Sequence, residues 1–168
     1  EGQRGDAQRG SELQTLAHTG EMCRAAGTRL AVTGSAATAA AELTVDAVDA
    51  DIALDNSHAT AGDNLSMTAG TDVTLVNGSH ADANSGDLAF TGSAGDVALT
   101  DSVATAHGTL NLSAGENVGL TRSSATSGDH MTLTGSAGDV TLAQSQVTSS
   151  GGDLTAKAGQ NLAMTDAN

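Results

Sequence analysis

The chain of 168 residues contains no proline, tryptophan or tyrosine, one phenylalanine (Phe90) and one cysteine (Cys23). Each scarcity removes a class of protein. A lone cysteine makes no internal disulfide, so the chain is not a cystine-stapled module. Without Trp or Tyr there is no aromatic platform for sugar rings, which counts against a carbohydrate-active enzyme. Cations are scarce too: 6 Lys and Arg stand against 20 Asp and Glu, for a net charge of −14. Arg4, Arg9, Arg24 and Arg29 lie in the first 30 residues, and beyond them only Arg122 and Lys157 remain. Such a field repels DNA, RNA and heparin-like polysaccharides, which need clustered Lys and Arg. Apolar runs of membrane length and a secretory signal peptide are also missing from this stretch.

What the chain does have is 21 glycines and a repeat. "TGSAGDV" stands at Thr91–Val97 and returns at Thr134–Val140, 43 positions later. One set of apolar-x-apolar triplets comprises Leu43-Thr44-Val45, Leu65-Ser66-Met67, Leu88-Ala89-Phe90, Leu110-Asn111-Leu112, Met131-Thr132-Leu133 and Leu154-Thr155-Ala156. Their starts are 22, 23, 22, 21 and 23 residues apart. A second set follows each of these: Ile52-Ala53-Leu54, Val73-Thr74-Leu75, Val97-Ala98-Leu99, Val118-Gly119-Leu120, Val140-Thr141-Leu142 and Leu162-Ala163-Met164. Leu30-Ala31-Val32 fits the second set, one coil earlier. A third, weaker element contains Asn56–Thr60, Asp101–Thr105, Arg122–Thr126 and Gln144–Thr148, with Gly34–Thr38 in the same frame.

Alternation of period two over a few residues is the mark of a short half-buried strand. Gly-Asp, Ala-Gly and Ser-Gly pairs between the triplets supply turns. Three short strands per roughly 22 residues describe a solenoid coil. One coil alone buries too few aliphatic side chains to offset the entropy of ordering its backbone, so coils must stack. The missing proline belongs to the same logic, because nearly every N–H in a stack is needed by a neighbouring coil. The pattern therefore predicts an all-β protein, a parallel β-helix of about 7 coils, rising about 4.8 Å per coil to a rod of roughly 30 Å. Residues 1–19 are expected to form an irregular flanking segment, with a short helix over Ser11–Gly20 capped by Ser11 as the lesser alternative. Residues 20–168 are expected to be the repeat segment, and the mid-pattern stop at Asn168 reads as a fragment of a longer filament.

The run Ser85–Gly159, "SGDLAFTGSAGDVALTDSVATAHGTLNLSAGENVGLTRSSATSGDHMTLTGSAGDVTLAQSQVTSSGGDLTAKAG", resembles the haemagglutinin repeats of filamentous haemagglutinin-type exoproteins. The resemblance covers about residues 20–168. It implies a right-handed parallel β-helix and two-partner secretion through an outer-membrane transporter. It also implies a place at the bacterial cell surface and attachment to a host-cell receptor or surface glycans. The Asn-rich secretion signature of that family is not in this sequence. At the first coil Gly20-Glu21-Met22 matches Gly86-Asp87-Leu88, which puts Arg24 in the slot of Phe90.

Arg4-Gly5-Asp6 is the sharpest motif. An Arg and an Asp on either side of a Gly turn can bridge an acidic pocket and a metal-bound carboxylate site on an integrin, and the resemblance strengthens that reading. A chance triplet in a solvated tail is the competing one. Asp63, Asp87, Asp129 and Asp153 form one row of acids, and Asp72, Asp96 and Asp139 another, with gaps at Thr109 and Asn117. Stacked carboxylates suit Ca²⁺, but turn residues bonding their own backbone explain the rows more simply, and no cofactor or metal is expected. His58 and His80 occupy equivalent places in adjacent coils, yet two ligands are too few for a closed metal site. Cys23 has no His partner in the frame and is not expected to act as a nucleophile. A Gly-x-Ser-x-Gly elbow is also missing, so no enzyme activity is expected of this stretch. The sequence thus points to an adhesive, structural segment of a surface filament. The alternatives are the stalk of a contact-dependent toxin-delivery exoprotein and, less favoured, a carbohydrate-active β-helix.

Overall fold

The computed structural model describes residues 29–168 and the backbone of two earlier strands, Leu16–His18 and Cys23–Ala25. Twenty-one short strands, β1 to β21 in chain order, follow one another with no helix among the described residues. Every third strand enters the same sheet, and each sheet has seven strands. Sheet 1 holds β2 (Cys23–Ala25), β5 (Leu43–Ala47), β8 (Leu65–Ala69), β11 (Leu88–Gly92), β14 (Leu110–Ala114), β17 (Met131–Gly135) and β20 (Leu154–Ala158). Sheet 2 holds β3 (Leu30–Thr33), β6 (Ile52–Asp55), β9 (Val73–Val76), β12 (Val97–Thr100), β15 (Val118–Thr121), β18 (Val140–Ala143) and β21 (Leu162–Thr165). Sheet 3 holds β1 (Leu16–His18), β4 (Ala36–Ala39), β7 (His58–Ala61), β10 (His80–Ala83), β13 (Val103–Ala106), β16 (Ser124–Ser127) and β19 (Gln146–Ser149). All pairings are parallel, and the result is a β-solenoid of about 6 turns with three strands per coil.

The register follows the apolar triplets. Leu43, Leu65, Leu88, Leu110, Met131 and Leu154 are successive partners in sheet 1. Leu30, Ile52, Val73, Val97, Val118, Val140 and Leu162 are successive partners in sheet 2. Alternate residues point inward, so Val45, Leu54, Met67, Leu75, Phe90, Leu99, Leu112, Leu120, Leu133 and Leu142 are buried in one continuous core. Sheet 3 contributes small inward residues instead, chiefly Ala59, Ala81, Ala104 and Ala125.

Four expectations are corrected. Leu154 and Leu162, expected in the core, are 45% and 52% exposed, because they belong to the last coil and only one side of them is covered. Leu16–His18 is a strand paired with Ala37–Ala39, so the ladder reaches into the stretch expected to be irregular or helical. Cys23, not Arg24, stands opposite Val45 and hence in the column of Phe90; the first coil is one residue out of the expected frame, and Arg24 pairs in register with Asp46. The third element begins later than expected, at His58 rather than Asn56, since Asn56 is a corner residue with φ of 48°.

The repeated "TGSAGDV" is a corner between sheets 1 and 2. Its second glycine, Gly95 or Gly138, stands where a Cβ would collide with Asp72 Oδ1 or Asn117 Oδ1 of the preceding coil. The open space lets that oxygen accept the next backbone N–H, from Asp96 at 2.7 Å or Asp139 at 2.8 Å. Gly precedes Asp here because a bare Cα admits the neighbouring coil's acceptor.

Candidate functional site

Arg4, Gly5 and Asp6 lie outside the described residues, so the structure gives no geometry for the triplet. The described surface is built from side chains repeated once per coil, and three of its corners carry most of the polar chemistry.

The corner between sheets 1 and 2 is lined by a column of carboxylates and amides. Asp96 Oδ1 accepts both the backbone N–H and the side-chain amide of Asn117, each at 2.9 Å. Asp139 Oδ1 does the same for Asn161, again at 2.9 Å. These acids therefore bond the backbone of the next coil, not their own, which corrects the expected turn chemistry. Asn117 is a member of the column rather than a gap. At the corner between sheets 3 and 1 the column runs Asn64, Asp87, Thr109, His130, Asp153. Asn64 Oδ1 accepts from Asp87 N–H at 2.9 Å, Asp87 Oδ1 from Thr109 N–H at 2.7 Å, and His130 Nδ1 from Asp153 N–H at 3.0 Å. Asp63 and Asp129 stand one residue outside that column, so the expected single row was two. Among the described residues no group of three or more His, Cys, Asp or Glu is placed to hold a metal ion.

The corner between sheets 2 and 3 pairs strained backbone with buried serine. Asn56, Asp101, Arg122 and Gln144 have φ between 48° and 52°, a region that disfavours residues with a Cβ. Each is followed by a buried Ser: Ser57, Ser102, Ser123 and Ser145. The Ser123 hydroxyl donates to Thr121 O at 2.9 Å and accepts from Ser102 N–H at 3.2 Å. Ser145 repeats this, donating to Ala143 O at 2.9 Å and accepting from Ser123 N–H at 3.1 Å. The hydroxyls thus satisfy backbone groups that the left-handed corner takes out of the strand ladders. Sequence reasoning missed this function, although the recurring polar-Ser dipeptides at Asn56-Ser57, Asp101-Ser102, Arg122-Ser123 and Gln144-Ser145 carry the signal.

Arg122 and Asp101 project from the same corner, one coil apart, and form a two-pronged ion pair. Nε reaches Oδ1 and an Nη reaches Oδ2, both at 2.7 Å. The hydrogen bond from Arg122 holds the Asp101 carboxyl below its ordinary range, and its counterpart raises the guanidinium. Asp101 is thus favoured as its anion. Any stability the pair adds is present above the ordinary carboxylate range and is lost as pH falls through the lowered value. With Gln144, Gln146, Val103 and Ser124 these residues line an open depression of about 390 Å³. Its one cation, Arg122, is already engaged by Asp101.

The structure brings His58 and His80 together on the outward face of sheet 3, with ring centroids 4.8 Å apart and planes within 5° of parallel. The same face carries Thr60, Asp82, Thr105, Thr126 and Thr148 in the parallel outward column. Comparison of the chain with family models, curated proteins and solved structures returns no match.

Proposed function

We propose that this chain is a structural and adhesive segment of a secreted bacterial surface filament that attaches to host cells. The observation that carries the reading is the fold. About six turns stack on one continuous core, a geometry suited to length and rigidity rather than to a catalytic cleft. The faces between the corners offer short polar side chains at the strand spacing, and binding is grafted onto this surface or onto the flanking triplet. In this reading the full-length protein leaves the cell through an outer-membrane transporter of the two-partner type, and Arg4-Gly5-Asp6 engages an integrin. Glycosaminoglycan binding by residues 31–168 is not part of this reading, because Arg122 and Lys157 are the sole Lys or Arg in that stretch.

Integrin-bearing cells plated on the immobilised chain test the triplet. The wild type is expected to hold them in a divalent-cation-dependent way, and Asp6→Glu, which keeps the charge but lengthens the arm, to reduce attachment to background. Equal attachment by both proteins would remove the integrin reading.

A further inference from the structure

His58 and His80 sit on neighbouring strands, β7 and β10, directly opposite one another in register. Their 4.8 Å ring separation is the spacing of adjacent strands, so the ladder itself holds the pair. His80 Nδ1 lies 2.9 Å from the carbonyl of Gly78, to which its N–H donates. That bond leaves Nε2 as the nitrogen with a free lone pair. A metal-bound histidine adopts the same arrangement, one ring nitrogen donating to a backbone carbonyl and the other turned to the metal. His58 is exposed, so its ring turns without displacing core atoms.

We propose that His58 and His80 form an open two-imidazole site for a late divalent transition metal, Cu²⁺ above the others, with water in the remaining positions. This does not rest on the adhesive reading. Two nitrogens bound at about 2 Å to one metal lie roughly 3 Å apart. The rings are nearly parallel at 4.8 Å between centroids, so the two Nε2 lone pairs run side by side, and each outward ring has to rotate toward the other for both to meet one metal in the ring plane. Imidazole suits Cu, Ni and Zn, and Cu²⁺ heads the affinity order. Asp82, two residues beyond His80 on the same face, and the net charge of −14 add an attractive field without closing the shell. A ring-stacked pair with no such tautomer control would be a mere consequence of register; the Gly78 bond is what points to a ligand.

The untagged full chain, stripped with chelator, is titrated with CuCl₂ by calorimetry at neutral pH, and the one-to-one complex is examined by electron paramagnetic resonance. The expected result is one equivalent bound with hyperfine structure from two imidazole nitrogens. His58→Gln and His80→Gln are each expected to weaken it at least tenfold, while His107→Gln leaves it unchanged. Glutamine is a fitting replacement because Gln146 already occupies the same outward column, and unchanged far-ultraviolet circular dichroism checks the fold. Affinity and spectrum indistinguishable between wild type and the two histidine variants would overturn the proposal, as would the absence of binding by the wild type.

Discussion

Single atoms at the corners decide whether the coil closes, and Ser123 is the sharpest case. Its hydroxyl is the acceptor for the Ser102 N–H and a donor to Thr121 O, and both serines are buried. Ser123→Ala takes away the acceptor and leaves a buried N–H without a partner, at a cost of about 1–3 kcal/mol. Ser35 offers a built-in comparison. It is only partly buried and its hydroxyl donates to Thr33 O at 2.9 Å, with no backbone N–H leaning on it among the described residues. Ser35→Ala is therefore expected to cost well under about 1 kcal/mol. Urea denaturation of the two variants separates them, and equal shifts would show that the serine column is not what holds the corner. The Asp101–Arg122 pair, exposed on the outside of the same corner, belongs to the class of contacts that contributes little.

Strands in this molecule take their identity from what lies above and below them, which makes equivalent residues unequal. Leu120 in β15 is fully buried between coils, whereas Leu162 in β21 is 52% exposed although both stand in sheet 2. Leu120→Ala is expected to cost about 2–5 kcal/mol through lost transfer energy and a residual cavity. Leu162→Ala is expected to cost less than half as much, and thermal or urea denaturation measures the difference. Equal costs would mean that the last coil is covered in solution. This same dependence on neighbours governs what the sequence could show. Sheets 1 and 2 are legible because Leu, Val, Ile, Met and Phe alternate there with polar residues. Sheet 3 is faint because its inward residues are mostly Ala, as at Ala59 and Ala81, and alanine does not stand out in an Ala-, Ser- and Thr-rich chain. The slip at Cys23 has a related cause: Met22, Cys23 and Ala25 permit either frame, and only pairing with Val45 selects one. Of the surface, the adjacency of His58 and His80 was readable from their spacing. The bonds of the Asp and Asn columns were not, since they link residues about 22 apart and coil lengths vary.

At the scale of the whole molecule, stability is a sum over stacked neighbours rather than a property of one closed core. Each coil touches the coil before it and the coil after it, through parallel ladders and continuous columns such as Val97–Val118–Val140. In such an array the removal of a terminal unit subtracts one interface and leaves the others intact. A chain ending at Gln144 would lose β19, β20 and β21 and uncover Met131, Val140 and Leu142, now buried at 1% or less. An ordinary domain of similar length, with its core closed by residues distant in sequence, would unfold on such a cut. The solenoid is expected instead to keep its β-type circular dichroism and to unfold cooperatively at a lower urea midpoint. Its m-value should fall roughly in proportion to the surface no longer buried. Loss of the β spectrum in the shortened chain would show that the last coil acts as an obligatory cap. Retention of both spectrum and cooperativity would mean that the rod tolerates changes in length, which a filament built from repeats requires.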